Sequence, residues 1–347
     1  MAEDVQDLLD EDFEEKEEQS SKAESSKNKE GKTEGKEEEI KQLDTSPEKI
    51  DKTKDVLWLR EIRKEDTNVA GGKGANLGEM FAADFPVPDG FVITAQAFKE
   101  FFAKIKKQML NITASIEYNN TQDLEAKAKL IREIVIETHM PEHLEDGIRK
   151  AYEELNKDKT GSGLFRISEP TFVAVRSSAT AEDAGDTSFA GQQETFLNMK
   201  GINQVLEAVK KCWASLYTAR SLFYRYQNHM SEEDMLIAVV VQKMVNSEKS
   251  GVMFTSNPMN NNKNQLVIEA VFGLGEGIVL GAVEPDHFVI DKETEQVLEK
   301  RIGLKKLAYT RDSSGKTIKK QLHDAFIEKE VLYAHELKAL IRAAKNI

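Results

Sequence analysis

Cysteine is almost absent: Cys212 is the only one in 347 residues. A single thiol builds neither a disulfide framework nor a multi-thiolate metal site, and a helical pattern beside Trp213 marks it as a small buried core residue. Long apolar runs are also missing. No segment reaches ~18 uninterrupted apolar residues, and the start MAEDVQDLLDEDFEE has neither a basic leader region nor an apolar one, so neither a membrane partner nor export is expected and the chain reads as cytoplasmic. Basic excess is the third absence. Against 61 Asp and Glu stand 48 Lys and Arg, a formal charge of −13, with no basic stripe; this argues against a nucleic-acid partner.

What remains is ordinary for a globular chain, 39% apolar and 31% charged, and long enough for two lobes. The charge is uneven, since residues 1–55 hold 20 acidic against 10 basic side chains. Residues 1–54 are Glu, Lys and Ser with almost no aromatics, too polar to offset ordering entropy, and are expected to be a disordered acidic tail.

The globular part opens near Asp55-Val56-Leu57-Trp58-Leu59. Gly71-Gly72-Lys73-Gly74 reads as a glycine turn feeding a helix in which Leu77, Met80 and Phe81 recur at helical spacing. Phe91-Val92-Ile93 is a short strand, and helices are expected at 95–110, 121–138, 141–156 and 203–228. From Met235 the rhythm changes to consecutive strands, MLIAVVVQKMV, GVMFTS, QLVIEAVFG, DHFVID and QVLEKRI, closed by a helix at 329–345. The fold class is therefore α/β (α+β): a first lobe over 55–234 and a strand-rich second lobe over 235–347.

The stretch FVAVRSSATAEDAGDTSFAGQQETFLNM, Phe172 to Met199, starts as a strand and then gives way to small polar residues. Arg176, fixed by the packing of a buried strand, presents a fork suited to phosphate oxygens. Ser177, Ser178 and Thr180 offer hydroxyls, Ala190-Gly191 lets backbone N–H groups approach an anion, and Gln192, Gln193 and Thr195 add polar contacts. Together they read as a phosphate cradle rather than a plain surface loop. Lys73 supports it from a helix start, where free N–H groups favour anions, although GGKGAN lacks the spacing of a P-loop. Gln242 ends a strand whose backbone can meet the edge of a base. Glu269, an acid inside an apolar strand, would contact a cation, a ribose or the turn Gly273-Leu274-Gly275, because buried carboxylates are usually paired. For Asp286-His287 a structural role is the better reading, since neighbours on a strand point to opposite faces.

With these residues in place the sequence resembles the nucleotide-binding domain of the phosphoenolpyruvate synthase (pyruvate, water dikinase) family. The matching motifs are GGKGANLGEM, VPDGFVITAQAF, FVAVRSSATAEDAGDTSFAGQQETFLNM, VVVQKMV, SGVMFTSNP and VIEAVFGLGEGIVLGAVEPDHFVID, in the family's order over about residues 56–347. The domain is similar to that of pyruvate, phosphate dikinase and of rifampicin phosphotransferase as well. The resemblance implies an ATP-grasp fold whose two lobes clamp ATP, with Mg²⁺ as the accompanying ion. It implies that Lys73 and Arg176 bind phosphates and act catalytically, that Gly191 and Thr195 lie in the glycine loop over them, and that Gln242 sits by the adenine. In the family a phosphoryl group passes from ATP to a histidine of a separate swivelling domain and then to pyruvate, giving phosphoenolpyruvate, AMP and phosphate.

The resemblance also implies an acidic Asp-x-Glu strand holding Mg²⁺ and a following Gln-x-Arg strand, just beyond a helix like ALIRAAKNI. Gln-x-Arg does not occur in this sequence, and the Asp-x-Glu pairs at 12–14 and 123–125 fall in the tail and in an expected helix. The second lobe is therefore expected to be incomplete, and the chain to be inactive alone. It reads as either a fragment or one half of an enzyme whose phosphohistidine and pyruvate-binding domains are encoded separately. The other readings are the ATP domain of pyruvate, phosphate dikinase or of rifampicin phosphotransferase, and a degenerate nucleotide-binding or interaction module with the acidic tail as docking arm.

Overall fold

The computed structural model of the chain describes residues 51, 53–157, 171–180, 194–231, 235–312 and 315–347. The expected tail, apart from its last few residues, lies outside them, as does Gly191 with the rest of 181–193.

Two antiparallel sheets carry the fold. The first has five strands in the order β1 (Val56–Trp58), β2 (Gly90–Ile93), β5 (Ile237–Lys243), β3 (Val173–Ala179), β4 (Thr195–Met199). Strand β5 lies at its centre, buried from Ile237 to Gln242 and paired with both β2 and β3. The segment expected to open a second lobe at 235 thus belongs to the first sheet, and the change of sheet falls after Lys243. Its near-continuous run of Ile, Ala and Val fits a strand covered on both faces.

Alternation along the strands divides this sheet into two surfaces. Phe91, Ile93, Val173, Val175, Val239 and Val241 point into the main core. Among the described residues, six helices cover that side: α2 (Ala95–Ala103), α3 (Lys106–Ala114), α4 (Thr121–Glu137), α5 (Glu142–Leu155), α6 (Ile202–Ala214) and α7 (Ala219–Gln227). The opposite surface, with Leu57, Val92, Ala238 and Val240, receives α1 (Thr67–Ala82) through Val69 and Ala70.

Two expected helices are each split in two. A 3-10 turn at Ser215–Tyr217 interrupts 203–228, and Thr218, in an extended conformation, restarts the chain as α7 by accepting from the Ser221 amide. Likewise α2 closes where the Lys104 and Ile105 amides bond back to Phe101 and Phe102. Between β3 and β4 the register shifts by one residue: Val173 faces Met199, but Val175 faces Phe196. The extra residue forms a bulge on β4, and there Asn198 adopts a left-handed φ of 58°.

The second sheet has the order β6 (Lys249–Phe254), β7 (Gln265–Phe272), β8 (Asp286–Asp291), β9 (Val297–Arg301). Leu266, Ile268, Ala270 and Phe272 of β7 pack with Leu337 and Ile341 of the last helix, α10 (Ala334–Asn346). A hairpin not expected from the sequence, β10 (Leu307–Arg311) and β11 (Thr317–Gln321), attaches at the end of β7, where the Leu274 amide donates to the Tyr309 carbonyl at 2.7 Å. The short helices α8 (Glu276–Val279) and α9 (Asp324–Ile327) complete the order. Among the described residues no helix is long and apolar enough to cross a membrane.

Candidate functional site

Register brings the candidate residues of the first sheet onto one surface. Arg176 lies opposite Thr195 on β4 and Val240 on β5, and Gln242 lies opposite Ala174 and Gly90. Residues directly opposite share a face, so Arg176, Thr195 and Gln242 all stand on the side that receives α1. That helix carries Lys73, which is half-buried.

Arg176 is half-buried, and its guanidinium makes no hydrogen bond or ion pair among the described residues. A planar five-donor cation held on a sheet without a carboxylate partner is suited to an anionic ligand. Thr195 beside it is exposed. Gln242 is buried, and its amide nitrogen donates to the Pro88 carbonyl at 3.0 Å, which fixes the carboxamide at the sheet's rim.

The glycine turn differs from the sequence expectation in an instructive way. Helical hydrogen bonding already begins at Thr67, and Gly71, at φ 69° and ψ 169°, interrupts it, so Lys73 rides on a helical segment that restarts after Gly71. Only glycine suits that backbone, and a side chain there would meet the carbonyl oxygen of Ser178 at 2.2 Å.

The hydroxyls expected in the cradle are engaged elsewhere. Ser177 and Ser178 are buried: Ser177 donates to the Glu194 carbonyl at 3.1 Å, and Ser178 donates to the Ala70 carbonyl at 2.9 Å. Thr180 donates to the Leu236 carbonyl at 3.0 Å. All three hydroxyls serve the backbone, and strand pairing draws Ser177 and Ser178 inward.

Glu269 is not brought to this surface. It lies on β7 opposite His287 of β8, with His287 Nδ1 and Glu269 Oε1 at 3.2 Å, on the face away from α10. Its partner is thus a histidine rather than the glycine turn. Neighbouring Asp286 points inward to a buried lysine, as strand alternation requires.

The strand positions sharing the Arg176 surface include no carboxylate pair suited to Mg²⁺. Of the Asp-x-Glu pairs, Asp123 on α4 binds the Glu117 amide and Lys127. The sequence holds a third such pair, Asp291-Lys292-Glu293, beyond the two named above, and Asp291 caps the β8–β9 turn through the Glu293 and Thr294 amides and the Thr294 hydroxyl. The described strand residues of this surface do not fit the ion. Cys212 is fully buried, and burial, then the nearby Glu194, pushes its thiol far above the ordinary range, so it is no nucleophile.

A sheet surface that carries Arg176 beneath a glycine turn is suited to a nucleotide, and similarity to known proteins points the same way. Residues 67–347 match the family described as pyruvate phosphate dikinase, AMP/ATP-binding domain. The chain belongs to that family. It is 49% identical over 294 residues to a probable phosphoenolpyruvate synthase of Archaeoglobus fulgidus, covering 84% of this chain and 38% of that protein. A probable phosphoenolpyruvate synthase of Methanocaldococcus jannaschii is 43% identical over 86% of this chain and 25% of its own length. The phosphoenolpyruvate synthase of Pyrococcus furiosus is 36% identical over 84% and 40%. The chain therefore spans between a quarter and two fifths of the length of these relatives.

Proposed function

We infer that this chain is the ATP-binding part of a phosphoenolpyruvate synthase, a pyruvate, water dikinase. In this reading ATP lies on the surface shared by Arg176, Thr195, Gln242 and α1, and the chain has the two-lobed ATP-grasp architecture. The whole enzyme would pass a phosphoryl group from ATP to a histidine of another domain and on to pyruvate, releasing AMP and phosphate. The observation that carries the reading is the Arg176 guanidinium, half-buried and unpartnered among the described residues, on the face of the glycine-turn helix.

The division of labour follows from the side chains. Arg176 would grip phosphate oxygens with its fork, and Lys73 would add a point charge at the start of a helical segment. Gln242, its amide nitrogen held by Pro88, keeps its oxygen for the base, and Glu269 would serve the nucleotide only after leaving His287. Gly191 and Thr195 would belong to the glycine loop over the phosphates. Phosphoryl transfer is chiefly positioning and charge stabilisation, which agrees with a surface that offers cations and amides but no nucleophile. Mg²⁺ would supply charge neutralisation to the triphosphate, and its ligands would come from outside this surface.

Thermal unfolding with and without millimolar ATP, repeated for Arg176→Ala, tests the reading. ATP should raise the melting temperature of the wild type, and the variant should lose most of that rise. A cooperative melt that ATP leaves unmoved would instead favour a module that no longer binds nucleotide.

A further inference from the structure

The geometry points to Ser178 as a positioning residue for the phosphate-binding turn: its buried hydroxyl clasps the glycine turn from both sides and sets where Lys73 stands relative to Arg176. The inference rests on the proposed function and names a residue which that reading leaves out. Ser178 is two residues along β3 from Arg176, so both side chains leave the strand on the face of α1. The Ser178 hydroxyl donates to the Ala70 carbonyl at 2.9 Å and accepts from the Gly74 amide at 3.1 Å. Those two partners bracket Gly71, Gly72 and Lys73, and it is Gly71 whose conformation breaks the helix.

Gly71 approaches the Ser178 backbone so closely that an added Cβ would lie 2.2 Å from its carbonyl oxygen and 2.3 Å from its hydroxyl. Ser178 has no exposed surface, so water does not compete for either bond. One strand thus holds one cation directly and the other through a hydroxyl. A shift of the turn by a fraction of an ångström changes the separation of the two charges, and with it the fit to neighbouring phosphates.

The test compares wild type, Ser178→Ala and Ser178→Cys in the full chain; the cysteine keeps the volume but bonds poorly. Affinities for ATP and for adenosine are measured by calorimetry, with hydrogen exchange of the peptide around residues 70–77. The expected result is a loss of about tenfold in ATP affinity in either variant, the order of one buried hydrogen-bonding group. Adenosine affinity should stay unchanged, and exchange at the turn should quicken. Equal losses for ATP and adenosine, or an unchanged ATP affinity, would overturn the assignment, as would a failure of both variants to fold, which would make Ser178 a core residue only. If the wild type itself binds no ATP, the proposed function falls; the clasp then stands or falls on exchange at the turn in the variants.

Discussion

Lys305 and Asp286 form an ion pair in which neither side chain has any exposed surface. The Asp286 carboxylate also accepts from the Gly303 amide at 3.0 Å and the Val331 amide at 2.7 Å, while the lysine donates to the Gly303 carbonyl at 2.9 Å. The pair ties β8 to two segments distant in sequence. Removing one partner strands a buried charge, so Lys305→Met should destabilise the chain by about 3–5 kcal/mol, whereas the double variant with Asp286→Leu should recover much of the loss. Denaturant titration of the three proteins decides it; a single variant within about 1 kcal/mol of wild type would contradict the prediction.

Gly71→Ala forces a left-handed backbone on a residue with a Cβ and drives that carbon against Ser178. The backbone strain alone costs about 1–3 kcal/mol. The variant should melt earlier and lose the ATP-dependent rise together, since the turn carries Lys73. A normal melting temperature would mean that the turn adapts.

Asp55 should give a pH signature. Burial first, then the Glu100 charge, holds its carboxyl above the usual range, with His143 working the other way. A raised folded-state value favours the protonated form, so the stability Asp55 contributes is complete below about pH 3.9, its unfolded value, and is lost as pH rises through the folded one. His143 lies 3.6 Å from Asp55 and 3.1 Å from Glu100. Asp55→Asn, neutral throughout, should therefore gain on the wild type as pH climbs from 4 to 7.5. Melting curves across that range would refute the argument if the gap narrowed with rising pH.

A short relay joins the β10–β11 hairpin to the first sheet. Asn198 Nδ2 donates to the Thr317 hydroxyl at 2.9 Å, which donates to Glu276 Oε1 at 2.8 Å. Thr317→Val leaves the buried Asn198 amide without its acceptor and should cost about 1–3 kcal/mol. Hydrogen exchange in 307–321 should quicken; unchanged exchange and stability would show that the relay holds nothing.

The strands were legible because apolar runs declare them locally, and Arg176 and Lys73 drew notice by their polar or glycine-rich surroundings. Fates decided across the sheet were not legible. Ser177 and Ser178 look like ligands in a Ser-rich stretch, yet pairing with β5 buries both. Which sheet β5 joins depends on long-range pairing, so its run of valines could not assign it. The β10–β11 hairpin had a readable signal, LAYTR and TIKKQ flanking an Asp-Ser-Ser-Gly turn, and Thr218 was a readable helix start inside 203–228. Glu269 looked like a ligand because its strand is apolar; its histidine partner lies on the next strand, 18 residues on.

The bulge at Asn198 chooses the neighbour of Arg176. Continued without it, the pairing of Val173 with Met199 would set Phe196 opposite the arginine and turn that ring out of the core; with it, the neighbour is Thr195. Losing one residue from β4 would therefore trade a hydroxyl for an aromatic ring beside the cation without touching the cation itself. In any chain built on this pattern, the length of β4 matters to the ligand as much as the arginine does.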